Sequence, residues 1–353
     1  MKKRFLALIL AGVLALSSCG NKQAETTTTE AAATSASVEA EATTAAPEAE
    51  ATTAAPEAGE TTQAESTTDG ENAPSPAVWL VTDPESGNSM KMMGTIHIVP
   101  ESEKLVPDYV MDIYNECDSV AVEYDISKVQ TDMVIQIKYL SYFLLNDGTL
   151  ITDHISAEAY EQAKAYLTEL GYYNETFDSY NAAYWENLLS SASILTIEGM
   201  KDTGIDTYFI GLAKQDGKKV LNIEALEDQM NAITATTDRL SEFNILEFMK
   251  LEEGEFEESF MALYNIWASG DVDAYLELEG EGMEDYPEEI LADYEVYNEA
   301  MLTTRNIGMA ERAKEYLKNG ENVFYMVGFA HFCGEGSVID LLEKDGYTVE
   351  RIH

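Results

Sequence analysis

Val323-Phe324-Tyr325-Met326-Val327-Gly328-Phe329-Ala330-His331 is an apolar run closed by Gly-x-x-His. A continuous apolar stretch of this length reads as a strand buried on both faces, the kind that parallel sheets use. Met90-Lys91-Met92-Met93-Gly94-Thr95-Ile96-His97, more than 200 positions earlier, has the same form. The chain has four histidines, and two of them occupy this one kind of position. A histidine just past a strand end points into the region where open sheets place their sites. The preceding glycine permits a sharp turn or a close backbone approach. Two such turns brought together would present two imidazoles to one metal ion or one reaction.

The flanking pattern specifies the rest of the fold. Residues 78–82 and 89–93 read as a hairpin about Asp83-Pro84-Glu85-Ser86-Gly87-Asn88. Residues 108–116 form a helix leading into Ser119-Val120-Ala121-Val122-Glu123-Tyr124, a buried strand ending at Glu123. From about 131 to 312 the chain is mostly helical. Apolar spacing predicts helices over 157–170, 182–197, 207–214 and 226–251, and over 272–297 with a break near Pro287. Residues 219–224 interrupt them as a short strand, with Gly217 suited to the helix-to-strand turn. The end of the chain alternates helix 306–318, strand 322–327, helix 337–344 and strand 347–352. The fold class is therefore α/β, a mixed β-sheet flanked by helices and carrying a large helical insertion. The outer parts must meet to complete that sheet, which would bring the two Gly-x-x-His turns together.

The first 19 residues read as an export signal rather than as part of the fold. Lys2, Lys3 and Arg4 precede an apolar segment, and Leu16-Ser17-Ser18-Cys19 closes it with small residues before a cysteine. This ending resembles a lipobox, so Cys19 is the expected site of lipidation and a membrane anchor; the alternative is an ordinary cleaved secretory signal. Residues 20–76 are rich in Thr, Ala and Glu, and Glu41–Ala49 recurs unchanged as Glu50–Ala58. With almost no large apolar residue, this segment is expected to be a disordered tether. The folded domain then spans 77–353. Most of the chain's 65 acidic residues fall within it, and the net charge is −44. That balance argues against nucleic acid as a partner, since phosphate binding needs clustered Lys and Arg. It also opposes docking of the domain on anionic lipid. Beyond Cys19 only Cys117 and Cys333 remain, with no Cys-x-x-Cys zinc pair; two separate buried thiols are favoured over a disulfide.

Among residues able to do chemistry, His97 and His331 come first. Glu123, at the end of an apolar strand, reads as a metal ligand or general base, or else as an exposed strand end. Glu224 holds the same place on another strand and could instead cap the following helix. Arg305 would bind a substrate carboxylate or stabilise developing negative charge, or pair with a nearby acid. His154 reads as a loop or cap residue and His353 as a frayed terminus. The many tyrosines of the helical middle read as packing. No Gly-x-Ser-x-Gly elbow, phosphate-binding loop or His-Glu-x-x-His helix is present. A water-activating metal site built from His and Glu is the simplest chemistry left.

The ordered stretches Met93–His97, Val120–Tyr124, Gly204-Ile205-Asp206, Ile223-Glu224-Ala225-Leu226-Glu227-Asp228-Gln229, Arg305-Asn306 and Val327–Phe332 followed by Gly334 resemble the TraB/GumN family, which includes the Tiki membrane-associated metalloproteases. The resemblance covers roughly residues 78–352. It implies a Tiki-like α/β fold related to the erythromycin-esterase and ChaN folds. It also implies a divalent-metal site using His97, His331 and Glu123, with manganese or cobalt as the metal. The expected function is a membrane-tethered, extracytoplasmic metal-dependent hydrolase acting on a peptide or small-molecule substrate, with Glu123, Arg305 and Glu224 as its catalytic residues. The competing expectation is a non-catalytic surface lipoprotein that binds a peptide or other small ligand; a haem handler is a third, suggested by the ChaN relation alone.

Overall fold

The computed structural model describes residues 74–353 apart from 103, 202 and 282. The export signal with Cys19 and nearly all of the tether lie outside the described residues. Six strands form the main sheet: β1 (Val78–Thr82), β2 (Ser89–Thr95), β4 (Ser119–Val122), β6 (Lys219–Asn222), β7 (Val323–Gly328) and β8 (Thr348–Arg351). Two further short strands, β3 (Val99–Pro100) and β5 (Met200–Lys201), pair with each other. The main sheet has the order β6-β4-β7-β2-β1-β8. Strands β2, β7, β4 and β6 run parallel, while β1 is antiparallel to both β2 and β8.

The apolar run at 323–327 is the middle of this sheet, buried along its length between β4 and β2. Its register sets Gly94 opposite Val327 and Thr95 opposite Gly328. The outer parts of the folded domain therefore meet as predicted, and both Gly-x-x-His turns leave the same end of the sheet from adjacent strands. The ladder also continues past the named ends of β4 and β6, since the Ile223 N–H donates to Val122 O and the Glu224 N–H to Glu123 O. All four parallel strands thus deliver a His or Glu to one end of the sheet.

Most helices fall where the apolar spacing puts them, but Ser127–Thr131 and Met133–Ser141 lie outside every predicted range, and there are further differences. The segment 226–251 is two helices, Leu226–Ile233 and Asp238–Met249, because Thr237 caps the second by accepting from the Leu240 N–H. Helix Glu255–Ser269 follows Gly254 and stands in its own right. The expected gap between 297 and 306 is filled by a π-helical turn, Glu299–Thr303, joining helices Glu288–Asn298 and Thr304–Asn319; Pro287 starts the first of them, where proline is tolerated.

Two apolar cores result. One covers the sheet and includes Met92, Met93, Phe209, Phe324, Tyr325 and Val338. The other lies inside the helical insertion around Tyr139, Phe143, Tyr184, Trp185 and Met230, so several of the tyrosines do serve as packing. Cys117 and Cys333 are separate buried thiols. His353 is not frayed: its ring stacks on Tyr109 with centroids 3.8 Å apart. Among the described residues, no helix is long and apolar enough to cross a membrane.

The insertion also holds an acid. The Asn244 amide donates to Glu186 Oε1 at 2.7 Å, while burial pushes the Glu186 carboxyl up to about 7. A carboxyl raised in the fold is favoured protonated, so its contribution to stability is lost as pH rises from the unfolded value toward 7. Glu186 is not sealed from solvent, which trims the expected cost at pH 8 to roughly 2 kcal/mol. Glu186→Gln is expected to raise the melting temperature at pH 8 by about 5 °C and to change it little at pH 5, read by thermal unfolding at both pH values.

Candidate functional site

His97 and His331 sit at equivalent offsets from the ends of β2 and β7. The two glycines are needed for packing rather than for turn geometry. A Cβ on Gly94 would lie 2.9 Å from the Phe329 Cα, and one on Gly328 would lie 3.1 Å from Glu123 Oε1. Each glycine thus lets the neighbouring strand end or the site carboxylate come in close.

Each imidazole is held through its Nδ1. His331 Nδ1 meets Asn306 Oδ1 at 2.6 Å, and His97 Nδ1 meets Asp206 Oδ2 at 3.3 Å. Both partners are acceptors, so both rings carry the proton on Nδ1 and leave Nε2 for another role. This is the arrangement by which proteins fix metal-ligating histidines. Burial, and then the Arg305 guanidinium, hold His331 down to about 3, so its ring is neutral and able to act as a ligand. Burial works in the same direction on His97, but Asp206, with Glu123 behind it, outweighs burial and raises that ring to about 9. The Asp206 carboxylate therefore favours positive charge on the far side of the His97 ring, whether from a proton or from a cation. Its other oxygen, Oδ1, is buried without a hydrogen-bond partner.

Glu123 is held as an ion. Its Oε1 accepts from the Gly328 N–H at 2.6 Å, and its Oε2 accepts from Arg305 at 2.6 Å and from the Gln229 amide at 3.1 Å. Burial alone would raise its carboxyl, but Arg305 and both histidines hold it well below the usual carboxylate range. Oε1 also lies 3.8 Å from His331 Nε2. Glu224 stands one strand over and takes the other side of Arg305, with Nε at 3.0 Å and the second amino group at 2.7 Å. Burial pushes the Glu224 carboxyl up while Arg305 opposes it. It does not cap the next helix, where Asp228 bonds the Ala225 N–H instead.

Arg305 is 7% exposed, and its remaining contact is to Met301 O at 3.1 Å. Most of its donors are therefore spent on Glu123, Glu224 and the π-helical turn, which is the pairing alternative left open by the sequence. As arranged, it positions Glu123 rather than reaching outward.

His97, His331, Glu123 and Arg305 line one cleft that opens to solvent. Among the described residues, no three His, Cys, Asp or Glu side chains form a ready-made coordination shell. The donor set nevertheless fits a divalent ion. Two ligands each about 2.1 Å from such an ion can stand up to about 4.2 Å apart, and His331 Nε2 and Glu123 Oε1 at 3.8 Å already fall within that reach.

The sequence matches the TraB/PrgY/gumN family over residues 77–351. The chain belongs to that family. Metalloprotease TIKI2 of Danio rerio is 22% identical over 325 residues, covering 77% of this chain and 60% of that protein. Metalloprotease TIKI2 of Xenopus tropicalis is 22% identical over 302 residues, covering 73% of this chain and 57% of that protein. The chain thus spans about 60% of the length of these curated relatives. No solved structure matches.

Three positioning residues were missed as candidates, although each stands in a stretch that carried the TraB/GumN resemblance. Asp206 holds His97, Gln229 holds Glu123 and Asn306 holds His331. The signal available was their placement: Asp206 follows a cap-position glycine, and Asn306 directly follows Arg305. Gly204 has its own reason to be in this TraB/PrgY/gumN chain. A Cβ there would lie 2.2 Å from the His97 carbonyl oxygen and 2.4 Å from its carbon. Backbone must move to admit it, so Gly204→Ala is expected to cost about 1–3 kcal/mol in urea unfolding and to loosen the His97–Asp206 pair.

Proposed function

We propose that this protein is a metal-dependent hydrolase acting on peptide bonds. His97 and His331 hold the metal, and Glu123 completes the set or takes the proton from an attacking water. The single observation that carries this reading is the paired geometry. Two imidazoles from adjacent parallel strands, each fixed through Nδ1 on an oxygen acceptor, share a cleft with an ionised glutamate. A bound divalent ion, manganese or cobalt by family resemblance, would polarise the scissile carbonyl and make a water acidic enough to attack at neutral pH. The protein's own part is to hold that centre. Asn306 and Asp206 set the two ring orientations, and the Gly328 N–H, Gln229 and Arg305 fix Glu123. Arg305 and Glu224 act through Glu123 and are positioning residues. Distant similarity to the TIKI2 metalloproteases supports the same chemistry. Lipidated Cys19 would tether the domain to the outer face of the membrane, a placement supported by the Leu-Ser-Ser-Cys ending.

A second reading has one observation in its favour. Glu123 and Arg305 already satisfy each other, and among the described residues no ligand shell is preformed. A surface lipoprotein that binds a peptide without turnover would look the same. Incubating the purified protein with a broad peptide mixture separates the two. Hydrolysis predicts products that vanish on chelation and return with manganese or cobalt; saturable binding with intact peptides identifies the binder.

A further inference from the structure

The cleft is two-sided. Its floor carries Thr95, His97, Glu123, Arg305 and His331, all on or just beyond that end of the sheet or at the start of helix Thr304–Asn319. The facing wall comes largely from the helical insertion: Ile194, Phe260, Leu263, Trp267, Met301 and Leu302. Three cleft residues, Ile98, Ile194 and Phe260, join Ile197 in a small apolar cluster separate from the two main cores. The wall offers little to a polar group. The Trp267 indole N–H is used by Gly94 O at 2.9 Å, and the Met301 carbonyl accepts from Arg305. The Arg305 guanidinium is likewise spent on Glu123 and Glu224.

We propose that this wall receives a bulky apolar side chain of a peptide, and that the substrate class is a peptide with Leu, Ile, Met or Phe beside the bond presented to His97, His331 and Glu123. The proposal rests on the hydrolase reading for the word substrate, but the side-chain preference stands without it. An apolar side chain leaving water for this wall gains the transfer free energy of its own surface. A charged one would lose hydration against a lining whose polar groups are few, the Tyr275 hydroxyl among them. The π-helical turn is central to the arrangement. It carries Leu302 into the wall and, through the Met301 carbonyl, ties the wall to the guanidinium that positions Glu123.

The test uses the full chain in detergent, supplied with manganese, and a set of end-capped tripeptide amides identical except for the central residue. Calorimetric titration is expected to show the Phe and Leu peptides binding roughly ten- to a hundredfold more tightly than the Ser and Glu peptides. Leu263→Asp with Leu302→Asp, both at partly exposed positions, is expected to erase that difference while manganese binding persists. Equal binding of all four peptides by the wild type would overturn the proposal. So would a difference that survives in a folded double variant, or decanoate binding more tightly than any peptide. The wild-type comparison decides the matter even if the double variant fails to fold. Selective binding with no products would remove the hydrolase reading and leave the side-chain preference standing; products from all four peptides at equal rates and affinities would do the reverse.

Discussion

Glu123→Gln is expected to lower peptide hydrolysis by about a hundred- to ten-thousandfold, the range in which a general base or its equivalent contributes. Glutamine keeps the volume and most of the shape of the site. It removes the negative charge that would complete a metal's ligands or accept a proton from water. It also introduces a local mismatch. Every partner of Glu123 is a donor: the Gly328 N–H on one oxygen, Arg305 and Gln229 on the other. Whichever way the new amide turns, its NH2 group faces donors. A stability loss of about 1–3 kcal/mol is expected to accompany the loss of rate. The fold should survive, because Arg305 keeps both of its bonds to Glu224. Initial rates and thermal unfolding of the same preparation separate the two effects. Full activity in the folded variant would remove Glu123 from the chemistry.

Arg305→Ala is expected to have the largest effect on stability. It leaves Glu123 and Glu224, both buried, without their shared cation, and breaking a buried ion pair from one side costs about 3–5 kcal/mol. The sign of the pH dependence follows from the same contacts. In the wild type Arg305 holds Glu123 below its unfolded value, so that contribution is present above the unfolded value and is lost only as the solution becomes strongly acidic. Without Arg305, burial and mutual repulsion push both carboxyls above their unfolded values. The variant should then lose stability as pH rises, so its deficit relative to the wild type should be larger at pH 8 than at pH 5. Urea unfolding at the two pH values checks this. Arg305→Lys should rescue only part of the loss, because a single ammonium cannot reproduce the fork that bonds two carboxylates at once.

The middle of the sheet was legible because β4 and β7 are written as short, nearly continuous apolar runs. The convergence of His97 and His331 on one cleft followed from the need of the outer parts of the folded domain to pair. What the sequence left hidden has physical causes. Threonines 234, 236 and 237 are compatible with helix by spacing, and only the cap formed by Thr237 shows that a new helix begins there. Phe256, Phe260, Leu263 and Trp267 lie at helical intervals, yet helix Glu255–Ser269 was not picked out within the largely helical middle. That helix supplies much of the apolar cleft wall. Arg305 reads equally well as a substrate-binding group or an ion-pair partner until Glu123 and Glu224 are seen on either side of it. Asp206 and Asn306 bond histidines 109 and 25 positions away, contacts that no local pattern encodes.

Divalent metal content, measured per folded chain after manganese or cobalt loading and desalting, tests the central claim most directly. One ion per chain is expected in the wild type, with strong loss in His97→Ala and in His331→Ala. Equal retention by the wild type and by the variant lacking both imidazoles would contradict it.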